Sequence, residues 1–124
     1  MATAAGEQAG WGEVLGAYFD PAKAEVDNSY SIGGASSKSS ADTGRLNAML
    51  GQLEPGDYVI IQFGHNDQKT EEPNNYTTPE DGGTYQQYLK RYINGVRAKG
   101  AYPVLATSIC RRAFSNGVFT NTLG

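Results

Sequence analysis

The stretch Tyr58-Val59-Ile60-Ile61-Gln62-Phe63-Gly64-His65-Asn66-Asp67 decides how the chain is read. It begins as an apolar, β-branched run, the pattern of a strand buried on both faces. At Gly64 it breaks into polar residues rich in donors and acceptors. In an open parallel sheet, a strand ending this way presents a site at its carboxyl edge. The working part of the chain is therefore placed just past Phe63, with Asn66 as the first candidate.

Working outward, Pro55-Gly56-Asp57 is a turn that feeds this strand. Before it, Leu46, Met49 and Leu50 form one apolar side of a helix that starts near Ser36 or Ser37, either of which can cap it. Gly44 interrupts that helix, at roughly 1 kcal/mol relative to alanine, so two short helices are an alternative. Gly33-Gly34 turns the chain into it. Ala24 to Asn28 is a weak strand signal, with Val26 its one strong β-former. Trp11, Val14, Leu15, Tyr18 and Phe19 share one helical face, which Asp20-Pro21 ends. Met1 to Ala9 reads as a flexible lead-in, followed by one domain over 10–124.

On the other side, Gln68 to Gly83 is a long polar stretch with Pro73, Pro79, Gly82 and Gly83. Such a loop is either functional or disordered, and this one leaves the sheet at the reactive edge. Tyr85, Tyr88, Leu89, Tyr92, Ile93 and Val96 then keep helical spacing, with Thr84 as N-cap and Gly100 as the C′ residue. Its tyrosines read as core residues with wet hydroxyls. Pro103 to Ile109 is the next strand, and Asn116-Gly117 marks a hairpin within Ala113 to Thr122. Strands alternating with helices mean a parallel sheet with helices on both faces.

The 124 residues suit one domain, which buries about two-thirds of its unfolded surface. A net charge of −3 leaves no basic footprint for nucleic acid. No apolar run approaches a membrane span. Met1 to Ala9 lacks the basic and apolar regions of a secretory signal. Cys110 is the single cysteine, so no internal disulfide forms and the redox compartment is open. One histidine and one cysteine make no metal-ligand set.

Gly64-His65-Asn66-Asp67 after an apolar strand resembles the Asn block of the SGNH/GDSL hydrolases, and among them the rhamnogalacturonan acetylesterase-like carbohydrate esterases. Gly10-Trp11-Gly12-Glu13-Val14-Leu15 and Ile32-Gly33-Gly34-Ala35-Ser36-Ser37-Lys38-Ser39 agree in order and spacing, so the resemblance runs from about Gly10 to the end. It implies a three-layer α/β/α fold around a parallel flavodoxin-like sheet of order 2-1-3-4-5, incomplete here. The missing first strand would leave a gap of about 10 Å between this chain's first two strands, destabilising the chain or letting them pair directly. It also implies a serine esterase that deacetylates a plant cell-wall polysaccharide such as rhamnogalacturonan, without metal or cofactor. The location so implied is extracellular or periplasmic.

Acyl transfer needs a nucleophile, its base, and donors aimed at the developing oxyanion. The resemblance assigns two such donors here. Gly34 would offer a backbone N–H unobstructed by a side chain, and Asn66 an amide NH₂ that does not compete as a base. The family's Gly-Asp-Ser and C-terminal Asp-x-x-His blocks have no counterpart, since the only histidine, His65, lies in the Asn block. The chain therefore reads as an internal fragment that supplies oxyanion-hole residues and no triad.

Competing readings exist for several residues. A Ser–His pair could in principle form from Ser36, Ser37 or Ser39 with His65, but serines at a helix start read as caps and His65 as a loop brace. Gly33-Gly34 could cradle a phosphate, yet the Gly-Lys-Ser/Thr of a P-loop does not occur. Arg111-Arg112 reads as a solvated pair, or as a contact to an anionic sugar. Trp11 reads as core. A non-catalytic carbohydrate-binding module on the same scaffold, gripping sugar through 68–83, is the alternative to the esterase.

Overall fold

The computed structural model describes residues 10–111 and 113–120; the expected lead-in over Met1 to Ala9 lies outside the described residues. The chain divides into two compact units, Met1–Ala35 and Ser36–Gly124.

In the first unit, the helical face expected over Trp11 to Phe19 is realised as one α-turn, α1 (Trp11–Val14), and a 3₁₀ turn, Leu15–Tyr18. Gly12 is where Asn28 comes closest, since a Cβ there would lie 2.6 Å from Asn28 Oδ1. Trp11 is half-buried. The strand expected over Ala24 to Asn28 is not formed. Asp27 instead accepts the Ser29 N–H at 2.8 Å, a local turn bond that competes with a ladder. The expected direct pairing of the first two strands therefore does not occur. Ile32 to Ala35 makes a β-turn closed by Ala35 N–H donating to Ile32 O at 3.4 Å. Gly34 stands at its third position with φ +80°, which glycine adopts without strain.

The second unit opens with α2 (Ser37–Asp42). Ser36 caps it: its Oγ accepts from Ser39 N–H at 3.0 Å, and Ser39 Oγ accepts from Ser36 N–H at 2.9 Å. This is a reciprocal capping box with serine in the usual Glu position. Gly44, at φ +87°, ends that helix and starts α3 (Arg45–Gln52), so the pair of short helices is the form adopted. The central strand β1 (Tyr58–Ile61) pairs in parallel with β2 (Tyr102–Leu105), Tyr58 opposite Tyr102 and Ile61 opposite Leu105. α4 (Thr84–Ala98) joins them as a βαβ crossover. β3 (Phe114–Ser115) and β4 (Val118–Phe119) form the expected hairpin, with Asn116 and Gly117 both at positive φ.

Besides β2 ending at Leu105 where a strand to Ile109 was expected, two details of the second unit differ from the sequence reading. The N-cap of α4 is Gly83, one residue before Thr84. Thr78 supplies the missing acceptor, taking the Thr84 N–H at 2.9 Å, while Thr84 Oγ1 accepts the Thr78 N–H at 2.7 Å. The C-terminus ends as expected at Gly100, φ +73°, where its N–H and that of Ala101 satisfy Arg97 O and Val96 O.

The second difference concerns β1, which is buried on one face and not on both. Ile61 packs with Ala41, Leu46 and Tyr92, and Val59, Phe63, Met49, Leu50 and Leu89 surround them. Tyr58 and Ile60 face the other way and are 72% and 42% exposed. Side chains alternate along a strand, and within this unit the helices cover one side of a two-stranded sheet. α3 and α4 approach closely at Gly95, where a Cβ would sit 2.7 Å from Leu50 Cδ1.

Candidate active site

The site is built where β1 ends. Phe63 O accepts two hydroxyls, from Ser108 at 2.6 Å and Tyr85 at 3.1 Å. Gly64 follows at φ +138°, and a Cβ there would run into Ser108 Oγ, so the close approach of these two segments needs glycine. Residues 64–69 then wind through successive turns, with Gln68 and Lys69 N–H donating to Gly64 O and Asn66 O.

Asp67 anchors this loop. It is 3% exposed. Its carboxylate accepts from Ser37 N–H (3.1 Å), Gly64 N–H (3.1 Å), Thr77 Oγ1 (3.1 Å) and Ser37 Oγ. Its own carbonyl accepts the Thr77 N–H at 2.9 Å. Neutral donors thus replace the water a buried carboxylate loses. Tyr92, its ring 5.2 Å from that of Phe63, donates its hydroxyl to Ser37 O at 3.2 Å. Tyr85 and Tyr92 therefore donate their hydroxyls to protein carbonyls, where water was the expected partner. Burial first, and the nearby Asp67 charge as a lesser cause, raise both phenols above the ordinary 10.0.

His65 is the brace that the sequence reading expected. Its Nε2 lies 2.8 Å from Ile109 O. A carbonyl only accepts, so Nε2 carries the proton and is not a base in this geometry. Arg111 Nη2 donates to His65 O at 3.0 Å, which overturns the solvated reading of Arg111; Arg112 lies outside the described residues. The hydroxyls of Ser36, Ser37 and Ser39 are all hydrogen-bonded within the protein. Ser36 and Ser39 are spent on the cap, and Ser37 is fully buried with its hydroxyl given to Asp67.

The 68–83 segment is held by bonds within itself and by one from α2. Lys69 pairs with Glu72 at 2.9 Å, Asn75 also donates to Glu72, and Lys38 Nζ donates to Pro73 O at 2.7 Å. These bonds, Lys69 first and Asn75 next, lower the Glu72 pKa. An apolar cleft of about 190 Å³ lies beside β1, lined by Phe63, Tyr85, Leu89 and Leu105 among others. Among the described residues there is no cluster of acids, histidine and cysteine able to hold a metal, and no helix long and apolar enough to cross a membrane.

Of the two expected oxyanion donors, Asn66 is half-buried in this pinned loop. Gly34 is exposed at the turn of the first unit. Asp67 and Thr77 carry no role in the sequence reading, and Ser37 appears there only as a cap or as a partner for His65, not as a donor to Asp67. The available signals were Asp67 beside Asn66, buried-type serines at a helix start, and a Thr-Thr pair inside the polar stretch.

A profile of the GDSL-like lipase/acylhydrolase family matches residues 2–121. The chain belongs to the GDSL-like lipase/acylhydrolase family. A probable rhamnogalacturonan acetylesterase of Bacillus subtilis, YesY, is 47% identical over 114 residues, covering 92% of this chain and 51% of that protein. The rhamnogalacturonan acetylesterase RhgT of the same organism is 42% identical over 117 residues, covering 94% of this chain and 47% of RhgT. The chain therefore spans about half the length of these relatives. The crystal structure of Bacillus subtilis YxiM superposes with a TM-score of 0.75 at 32% identity, over 88% of this chain and 29% of YxiM. The fold of this GDSL-family chain is thus the parallel α/β SGNH fold, of which two parallel strands and their crossover helix are formed within Ser36–Gly124.

Proposed function

We propose that this chain is part of a serine esterase that removes acetyl groups from a plant cell-wall polysaccharide such as rhamnogalacturonan, through an acyl-enzyme. Its contribution is the oxyanion hole: the Gly34 N–H and the Asn66 side-chain amide stabilise the negative charge that develops on the ester oxygen. The nucleophile and its base come from sequence other than these residues, and the enzyme works outside the cell or in the periplasm. No cofactor enters the reaction.

The observation that carries this reading is Asn66 at the carboxyl edge of β1, between two residues that are each tied to other segments. A donor held in advance does not reorganise when charge develops, and losing one such donor costs about 2.7–4 kcal/mol of transition-state stabilisation. Similarity to rhamnogalacturonan acetylesterases over nearly all of the chain supports the substrate class.

Acetate release from acetylated rhamnogalacturonan by the natural full-length polypeptide tests it. Release together with fluorophosphonate labelling of one serine supports the esterase. A second reading, the non-catalytic carbohydrate-binding module, draws on the ordered 68–83 segment and the missing Gly-Asp-Ser. Tight polysaccharide binding with no acetate release would favour it.

A further inference from the structure

We propose that Asp67 is a positioning residue for Asn66: its buried carboxylate ties α2, the end of β1 and the 68–83 segment into one support that holds the Asn66 amide in its working orientation. The inference rests on the reading of Asn66 as an oxyanion donor.

An amide at the tip of a loop is useful as a donor only if the backbone beneath it is fixed. Here both neighbours of Asn66 are held. On one side, His65 is fixed by Arg111 Nη2 at its carbonyl and by Ile109 O at its ring. On the other, both carboxylate oxygens of Asp67 are engaged. Oδ1 takes Ser37 N–H, Ser37 Oγ and Thr77 Oγ1, and Oδ2 takes Gly64 N–H at 3.1 Å and shares Ser37 N–H at 3.2 Å. The Thr77 N–H to Asp67 O bond adds a backbone tie to the same segment. Three stretches distant in sequence therefore meet on one side chain.

The chemistry requires a carboxylate. Every partner donates, so both oxygens must accept. Asparagine has nearly the same shape but one acceptor, and its NH₂ would face Gly64 N–H or Ser37 N–H, donor against donor. Asp67→Asn should thus loosen the support without emptying it. A displacement of the order of 1 Å in a positioned group costs on the order of 10²-fold in rate. Thr77→Val removes one hydroxyl donor and tests the same network more gently.

The experiment compares Asn66→Ala, Asp67→Asn, Thr77→Val and both doubles with Asn66→Ala, all in the natural full-length polypeptide hydrolysing p-nitrophenyl acetate. Rates are expressed per site titrated with fluorophosphonate, so misfolded molecules do not count. Asn66→Ala is expected to lower kcat by about 10²–10³-fold. Asp67→Asn is expected to lower kcat by roughly 10²-fold with KM little changed, and to add almost nothing once Asn66 is alanine. Equal fold-losses in both backgrounds would overturn the positioning role while leaving Asn66 in place. Full kcat in Asn66→Ala would overturn the reading of Asn66 and this inference with it. If Asp67→Asn does not fold, Thr77→Val decides: a kcat loss that vanishes in the Asn66→Ala background supports the proposal, and unchanged kcat overturns it.

Discussion

Replacing Asp67 by alanine should destabilise the fold more than any other single change in this loop, and the structure says by how much. The carboxylate accepts from two backbone N–H groups, Ser37 and Gly64, and from two hydroxyls, Ser37 and Thr77. The hydroxyls rotate and find other acceptors. The backbone donors do not, and each buried orphan costs about 1–3 kcal/mol, roughly 2–6 for the pair. Relief of the desolvated charge and entry of water into the vacated space offset part of this, leaving a net loss of about 3 kcal/mol. Asp67→Asn keeps one acceptor and should lose about 2 kcal/mol, and Thr77→Val, which removes a single hydroxyl, about 1 kcal/mol. Urea unfolding of the three variants measures this as shifts in midpoint at constant m. A loss below about 1 kcal/mol for Asp67→Ala, or a larger loss for Thr77→Val than for Asp67→Ala, would mean that the Ser37 and Gly64 N–H groups do not depend on this carboxylate.

Other outcomes follow from the same structure. Gly95→Ala gains about 1 kcal/mol of helix propensity but crowds Leu50, at a cost of about 1–3 kcal/mol. It should therefore destabilise the parent and stabilise a Leu50→Ala variant in urea melts, and the same sign in both would contradict the packing. Because Tyr85 and Tyr92 are raised above 10.0, the unfolded chain releases these protons first as pH rises. Stability should fall from pH 10.0 upward until the folded phenols also ionise, with a shallower fall in Tyr92→Phe; a pH-independent unfolding midpoint across that range would count against it. The 124-residue chain by itself should neither hydrolyse p-nitrophenyl acetate nor react with fluorophosphonate, since the hydroxyls of Ser36, Ser37 and Ser39 are all engaged. Labelling at any of the three would overturn the assignment.

Dense local patterns were legible in the sequence. The apolar run at Tyr58, the tyrosine-rich spacing of 85–96 and Asn116-Gly117 each announced their element, because period and turn chemistry act within a few residues. The strand expected at Ala24 was not formed, since a strand needs a partner and the Asp27–Ser29 bond competes locally. The burial of β1 was misjudged for a related reason. An apolar run says that a face can be covered, not that residues within the same unit cover it. At the site, Asn66 was legible through its block, and the His65 brace through its polar neighbours. Asp67 was not. Its role depends on donors thirty residues before it and ten after it, and only the fold brings Ser37 and Thr77 to one carboxylate.

The most direct test is a crystal structure of the natural full-length polypeptide carrying a phosphonate bound to its nucleophilic serine. Gly34 N and Asn66 Nδ2 are both expected at about 2.7–3.1 Å from the same phosphonyl oxygen. A structure in which either group points away from that oxygen would contradict that placement.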